Sequence, residues 1–406
     1  MPATPGQKII IAGAGIPGLT LALALKRSLG NALEVTICDP AINASRTAGR
    51  ASAVAAGPKR MFEALGIWAG LDAGAQPIHS MVITDSRLRD GLRPAYLQFG
   101  GDITPGEPFA HMAEDHLLAA ALAQASREAG TLFVASSIDN ATLEPGRIIA
   151  RLGDGTARPC HLMVASDGGK SRLRMRMRLA VTGWPYRQSG VVATFAHENP
   201  HEGRAEEHFL PDGPFAVLPL SGNRISIVWT QSTENAVRTL ALPEAEFVKE
   251  VQACIGFHLG DMTLLDRPRA FPLSLQIARK LVAPRFALMG DAAHVIHPIA
   301  GQGLNLGLRD VAALAEVICA QVQLGLDIGA EDRLEDYQRQ RRFDTLTMAA
   351  TTDMLNRLFG NDFIPLRMAR DLGLGLVDRM PGLKRYFIHE AGGVGGNSRL
   401  LQGLWP

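Results

Sequence analysis

Gly13, Gly15 and Gly18, in the spacing Gly-x-Gly-x-x-Gly, stand between a β-branched run, Lys8 to Ala12, and a helical stretch, Leu19 to Leu29. A second strand-like run, Leu33 to Cys38, ends at Asp39, 21 positions after Gly18. Strand, tight turn, helix, strand and acid in this register describe a βαβ unit that holds a dinucleotide. The glycines permit the turn, the approach of a pyrophosphate and close helix–strand packing, while the helix start offers unpaired N–H groups to phosphate oxygens. Asp39 can accept hydrogen bonds from ribose hydroxyls. A glycine-rich turn without a ligand is the plainer alternative, and the register of the flanking elements speaks against it. The motif alone does not separate FAD from NAD. Residues 9–25 carry no charge, but a 17-residue run broken by three Gly and a Pro is a buried strand, turn and helix and not a membrane span.

The rest of the composition fits this reading. Gly makes up 42 of 406 residues, a surplus that calls for backbone in unusual dihedrals or close to a ligand. Hydrophobic residues at 47% and charged residues at 20% exclude a disordered, collagenous or coiled-coil chain. A net charge of +1 argues against a nucleic-acid partner. Cys38, Cys160, Cys254 and Cys319 are isolated and match no metal spacing, as expected of a cytoplasmic protein. Met1 to Gln7 shows no secretory signal. Arg172, Arg174, Arg176 and Arg178 alternate with other residues, which in an extended segment puts four cations on one side. A solvated edge is favoured there over an anion site.

Along the chain, helices are expected at Gly57 to Leu71, Glu114 to Gly130, Pro243 to Cys254, 301–322 and Glu331 to Phe359. A strand is expected at 131–138, a hairpin within 140–166 turning at Gly153-Asp154-Gly155, and another hairpin formed by 215–220 and 224–230. The tail 363–390 reads as helical, apolar and broken at Pro381-Gly382. The fold class is therefore α/β: a Rossmann-like nucleotide-binding domain, a second, mainly antiparallel β-sheet domain and a C-terminal helical region. The first domain is discontinuous, at 1–79, 105–180 and 275–350. The second takes 80–104 and 181–274, and the helical tail 351–406.

Two further motifs sit at strand ends. One is Ala165-Ser166-Asp167-Gly168-Gly169-Lys170, in isolation only a turn. The other is Gly290-Asp291-Ala292-Ala293-His294, followed by His297-Pro298-Ile299-Ala300-Gly301-Gln302-Gly303-Leu304-Asn305, where a helix begins at a Gly-rich loop. In their order the three motifs resemble the fingerprints of single-component FAD-dependent aromatic hydroxylases, over roughly residues 8 to 390. His297 to Gly307 is similar to the signature of the ubiquinone-biosynthesis branch. Gly213 to Leu220 and Ser226 to Thr230 are similar to its substrate-domain hairpin, and Arg50 to Gly57 to its second flavin-contacting stretch.

The resemblance implies the following roles. Gly13, Gly15 and Gly18 bind the FAD pyrophosphate, and Asp39 the adenosine ribose. Arg50 approaches the pyrophosphate, and Asp167 and Gly168 support both FAD and transient NAD(P)H. Gly290 and Asp291 hold the ribityl or pyrophosphate portion, while Pro298 and the backbone of Gly301, Gln302, Gly303, Leu304 and Asn305 face the isoalloxazine ring. The chain departs from the family pattern in carrying Asp39 where Glu is commoner, His116 where Arg is more usual, and Gly169-Lys170 after Asp167-Gly168. His294 and His297 have no third ligand nearby in sequence, so no metal is expected.

The implied activity is monooxygenation of the aromatic ring of a polyprenylated phenol or benzoquinol precursor of ubiquinone. NAD(P)H and O2 are the co-substrates, and a flavin C4a-hydroperoxide is the hydroxylating species. No residue is identifiable as an obligatory general base. The alternatives are a hydroxylase of a small soluble aromatic acid and a non-catalytic flavin-binding subunit of a biosynthetic complex. A prenylated substrate also implies peripheral contact with the inner face of the membrane, for which the tail Asp362 to Phe387 offers a surface, although a helix packed on the core is an equally good reading of that tail, and a ubiquinone-biosynthesis complex as partner.

Overall fold

The computed structural model describes residues 6–44, 49–85, 97–100, 102–359, 392–394 and 398–406. The hydrophobic run at the N-terminus forms the strand Gln7–Ala12, which lies inside a six-stranded sheet. Leu33–Cys38 and Leu132–Val134 continue the sheet on one side, and Leu162–Ala165, Phe286–Leu288 and Val282–Ala283 on the other. All neighbours are parallel except the last pair. Ile9, Ile11, Val35 and Ile37 are wholly buried, as expected when both faces of a parallel sheet are covered. Helices Ile16–Leu29, Asp115–Glu128 and Gln302–Gln323 pack together as one layer. A three-stranded antiparallel sheet, Ile138–Glu144, Arg147–Leu152 and Ala157–Cys160, adds Ile148, Ala150 and Leu152 to the same core.

The second sheet has nine strands. Its path runs His294–Val295, Arg269–Ala278, Val181–His197, Arg224–Ser232, Gly213–Leu220, Arg204–Leu210, Ser80–Asp85 and Leu97–Gly100, with Met262–Leu264 paired to Val181–His197. Only Ser80–Asp85 against Arg204–Leu210 is parallel. One face is sealed by helix Glu244–Ile255, whose Phe247 and Val251 pack with Phe195, Phe215, Ile225 and Ile227. The opposite face turns toward the first sheet's domain, where Ala205 and Leu220 share a small core with Ala51, Ala53 and Met112. The 17-residue strand Val181–His197 is bent by a register shift between Pro185 and Ser189, where Arg187 adopts φ 57°. Helix Glu331–Phe359 links the two sheets: the Tyr337 hydroxyl donates to the Leu288 carbonyl near its start (2.8 Å), and Phe359 stacks on Phe209 at its end (3.9 Å between centroids).

Two expectations are corrected. Arg172–Arg176 is a short helix and not an extended edge, so the arginines do not share one side: Arg174 is buried while Arg172, Arg176 and Arg178 are exposed. Ser171 accepts a hydrogen bond from the Arg174 N–H (3.0 Å) and caps that turn. The strand-rich region holds two helices instead of one, because Ser232 likewise caps Thr233–Leu240 by accepting from the Asn235 N–H. The tail 363–390 lies outside the described residues.

Candidate cofactor and substrate site

The three glycines of the first turn are not there for one physical reason. Gly13 has φ 103°, and a Cβ there would lie 2.3 Å from the Ser166 carbonyl oxygen. A Cβ on Gly18 would lie 2.2 Å from the Gly13 carbonyl oxygen. Both positions are closed by the protein's own backbone. Gly15 differs: a Cβ there would meet only the Pro17 ring, at 3.9 Å. It caps helix Ile16–Leu29 with no side-chain hydrogen bond and no acid in the first turn. That start therefore presents N–H donors and positive dipole to open space. Asp39 secures the turn, its two carboxylate oxygens accepting from the Ala14 and Ala41 N–H groups, each at 2.7 Å. Each oxygen keeps a lone pair for a ligand hydroxyl.

The fold brings the three motifs together. Gly13 abuts Ser166 and Asp167, while Gly290 and Gly307 both close on Pro17. Arg174 ties the second motif to the third: its guanidinium donates to the Gly169 carbonyl (2.8 Å) and to the Ala292 carbonyl (2.7 Å). Burial pushes its pKa down from the usual arginine value. Asp167 and Asp291 are exposed on this surface, and Gly168 has φ 85° with open space where a Cβ would be.

A second uncapped helix start faces the same region. Gly301, at φ 64°, precedes Gln302–Gln323, which has neither a side-chain cap nor an acid in its first turn. A Cβ on Gly303 would meet nothing. Asn305 serves the packing of the loop instead. Its side chain accepts from the Ala55 N–H (2.9 Å) and donates to the Ala53 carbonyl (2.8 Å), pinning the strand Ala51–Ala55 to the helix. Leu304 packs partly against the main core, and Pro298 is half-buried.

Behind this loop runs a buried ionic chain. Asp310 accepts from the Gly290 N–H (2.9 Å), His294 Nε2 (2.6 Å) and Arg341 Nε (2.7 Å). Burial alone would raise its pKa, but His294 and Arg341 outweigh that and hold it below the usual carboxylate value. Asp344 carries the chain on to Arg341 and Arg309. His294 is thus engaged with a carboxylate. His297 is wholly buried, has no hydrogen bond at either ring nitrogen among the described residues and lies edge-on to Tyr186 at 5.1 Å. Burial pushes its pKa down to about 4, so it is neutral at pH 7. Among the described residues, no group of three His, Cys, Asp or Glu is placed to hold a metal.

On the other side of the first turn, a cleft of about 560 Å³ is lined by Ala14, Ile42, His116, Gln124, Arg127 and Phe133. Arg50 stands near it, paired with Asp115 (3.0 Å) and largely exposed. The cleft, Pro17 and Arg174 escape sequence reading, although Ser171 before a run of Arg, Leu and Met carries a recognisable cap signal. The surface as a whole suits a long anionic ligand: an open glycine, two uncapped helix starts and a cleft that continues from the first of them. These features fit FAD.

The comparisons bear on the cofactor and the fold. A family model described as an FAD binding domain matches residues 7–350. The ubiquinone hydroxylase UbiL of Rhodospirillum rubrum is 40% identical over 389 residues, covering 95% of this chain and 89% of that protein. The 3-demethoxyubiquinol 3-hydroxylase of Escherichia coli is 31% identical, over 95% of this chain and 98% of that protein. Among solved structures, the p-nitrophenol 4-monooxygenase PnpA of Pseudomonas putida superposes with a TM-score of 0.77 at 16% identity, over 97% of this chain and 99% of that one.

Proposed function

The chain belongs to the FAD-binding-domain family, and from that premise we infer an FAD-dependent monooxygenase of ubiquinone biosynthesis. It hydroxylates the aromatic ring of a polyprenylated phenol or benzoquinol precursor, with NAD(P)H and O2 as co-substrates. The observation that carries the reading is the convergence of three distant motifs on two uncapped helix starts. FAD, when bound, supplies electron transfer from NAD(P)H and activation of O2.

The chain's own residues do the rest. In this proposal the Gly15 backbone and the first helix start hold the pyrophosphate, with Gly13 and Gly18 shaping the turn. Asp39 takes ribose hydroxyls, and Arg50 adds charge at the rim. Asp167, Gly168, Gly290 and Asp291 lie along the middle of the cofactor. Pro298 and the backbone from Gly301 through Gln302, Gly303 and Leu304 to Asn305 border the ring, where N–H groups of the helix start favour negative charge on it. The apolar residues on the inner face of the nine-stranded sheet, Ala205 and Leu220 among them, would help to keep water from the ring. Peripheral membrane contact belongs to the proposal as well, because a polyprenylated substrate resides in the membrane; no helix among the described residues is long and apolar enough to cross one.

The test is direct. Purified protein reconstituted with FAD should convert a prenylated phenol to a product heavier by one oxygen while consuming NAD(P)H. Failure to retain flavin, or NAD(P)H consumption that ends only in hydrogen peroxide, defeats the reading.

A further inference from the structure

Glu206 and Glu207 are consecutive on the strand Arg204–Leu210 and equally buried, each 5% exposed. Alternation sends their side chains to opposite faces of the sheet. Glu206 shares its face with Leu210, which packs in the core beneath helix Glu244–Ile255. Its carboxylate is paired with Arg204, with His208 (3.0 Å) and with His258 (2.9 Å). Burial would raise its pKa, yet the hydrogen bonds from His208 and His258 hold it well below the usual carboxylate value. It is a satisfied buried charge.

Glu207 is the opposite case. It stands between Ala205 and Phe209 on the other face. Ala205 packs with Ala51, Ala53 and Met112, the strands that Asn305 ties to the ring-bordering loop. Phe209 stacks on Phe359. Its cross-strand neighbours are Ile83 and Ala216. Among the described residues no hydrogen bond or ion pair reaches its carboxyl group, and burial is the sole influence on its ionisation, raising the pKa to about 8. A buried carboxyl without a partner is less favourable than a fitted apolar side chain at the same place. Folding alone gives no reason to keep one on an apolar face, and a ligand that completes its hydrogen bonds does.

We propose that Glu207 is the group that hydrogen-bonds the ring hydroxyl of the aromatic substrate and so orients the ring toward the flavin side of the sheet. This deepens the functional reading above and rests on it for the identity of the ligand. A carboxylic acid can donate to the phenol oxygen and accept from the phenol O–H at once, a reciprocal pair suited to a site without water. The surrounding Ala, Ile and Phe side chains match the rest of a prenylated ring.

Flavin-loaded wild type, Glu207→Gln and Glu207→Leu are compared by equilibrium dialysis with two probes in detergent, a geranylated phenol and its methyl ether. Product and peroxide per NAD(P)H are measured alongside. Wild type should bind the phenol roughly tenfold more tightly than the ether, since a site built to pair a hydroxyl rejects the analogue lacking it. Glu207→Gln should keep part of that preference. Glu207→Leu should abolish it and raise the peroxide share, while melting no lower than wild type. A preference that survives in Glu207→Leu, or is missing from wild type, overturns the proposal whether or not product forms. A wild type that shows the preference but yields no hydroxylated product overturns the functional reading and leaves the Glu207 contact standing.

Discussion

Gly13 and Gly15 sit two residues apart in one motif and should fail in different ways when altered. A Cβ on Gly13 collides with the Ser166 carbonyl and needs a left-handed backbone, so Gly13→Ala should destabilise the fold itself by about 3 kcal/mol or more, with or without flavin. Gly15 has ordinary dihedrals and open space beside it. Gly15→Ala should leave the melting temperature of flavin-free protein within a degree or two while weakening FAD binding at least tenfold. Thermal melts of both forms with FAD titrations separate the two, and a Gly15→Ala protein that retains FAD as wild type does removes the pyrophosphate role. The motif was legible in the sequence because its spacing is local. That Gly13 is closed by residue 166 was not, since the contact joins strands far apart in the chain.

At the level of elements, Arg174 and the Asp310 chain hold the motif loops against one another. Arg174 links two loops through their carbonyls, so Arg174→Met should leave both unsatisfied, lower the melting temperature and weaken FAD binding together. Unchanged FAD affinity in that variant would show the staple to be dispensable for the site. Removing one partner of the buried Asp310–Arg341 pair should cost about 3–5 kcal/mol by urea denaturation of Arg341→Met. An outcome within 1 kcal/mol of wild type would mean that water already reaches Asp310. The arginine run shows how an element is misread: alternation suggested a strand, but the Ser171 cap and helix-favouring Arg, Leu and Met turned it into one helical turn. Only packing chose which arginine turned inward.

Across the whole molecule, three buried groups set opposing pH dependences. His297 and His111 are both pushed down to about 4 by burial. The unfolded chain takes up those protons near pH 6.5, so stability is complete above that value and is lost as pH falls toward 4, by about 3 kcal/mol for His297. Glu207 runs the other way. The folded protein keeps its proton up to about pH 8 while the unfolded chain loses it near 4.5, so this contribution is lost as pH rises across that window. Melting temperatures from pH 5 to 8.5 should therefore fall on the alkaline side, and Glu207→Gln should flatten that fall without changing the acid side. An unchanged alkaline slope in Glu207→Gln would place the titration elsewhere.

The sequence by itself determined the βαβ unit, the order of the three motifs, the α/β class with its inserted antiparallel sheet, and the long helices after 301 and 331. Each of these is written in local spacing, periodicity or turn chemistry that any chain of the same residues would obey. The tertiary structure decided which glycines are closed by backbone and which are left open, which arginine becomes a staple, and which of two adjacent glutamates is paired. Those outcomes depend on what distant strands and helices bring alongside a residue, and two neighbours as alike as Glu206 and Glu207 carry no local mark of the faces they will meet.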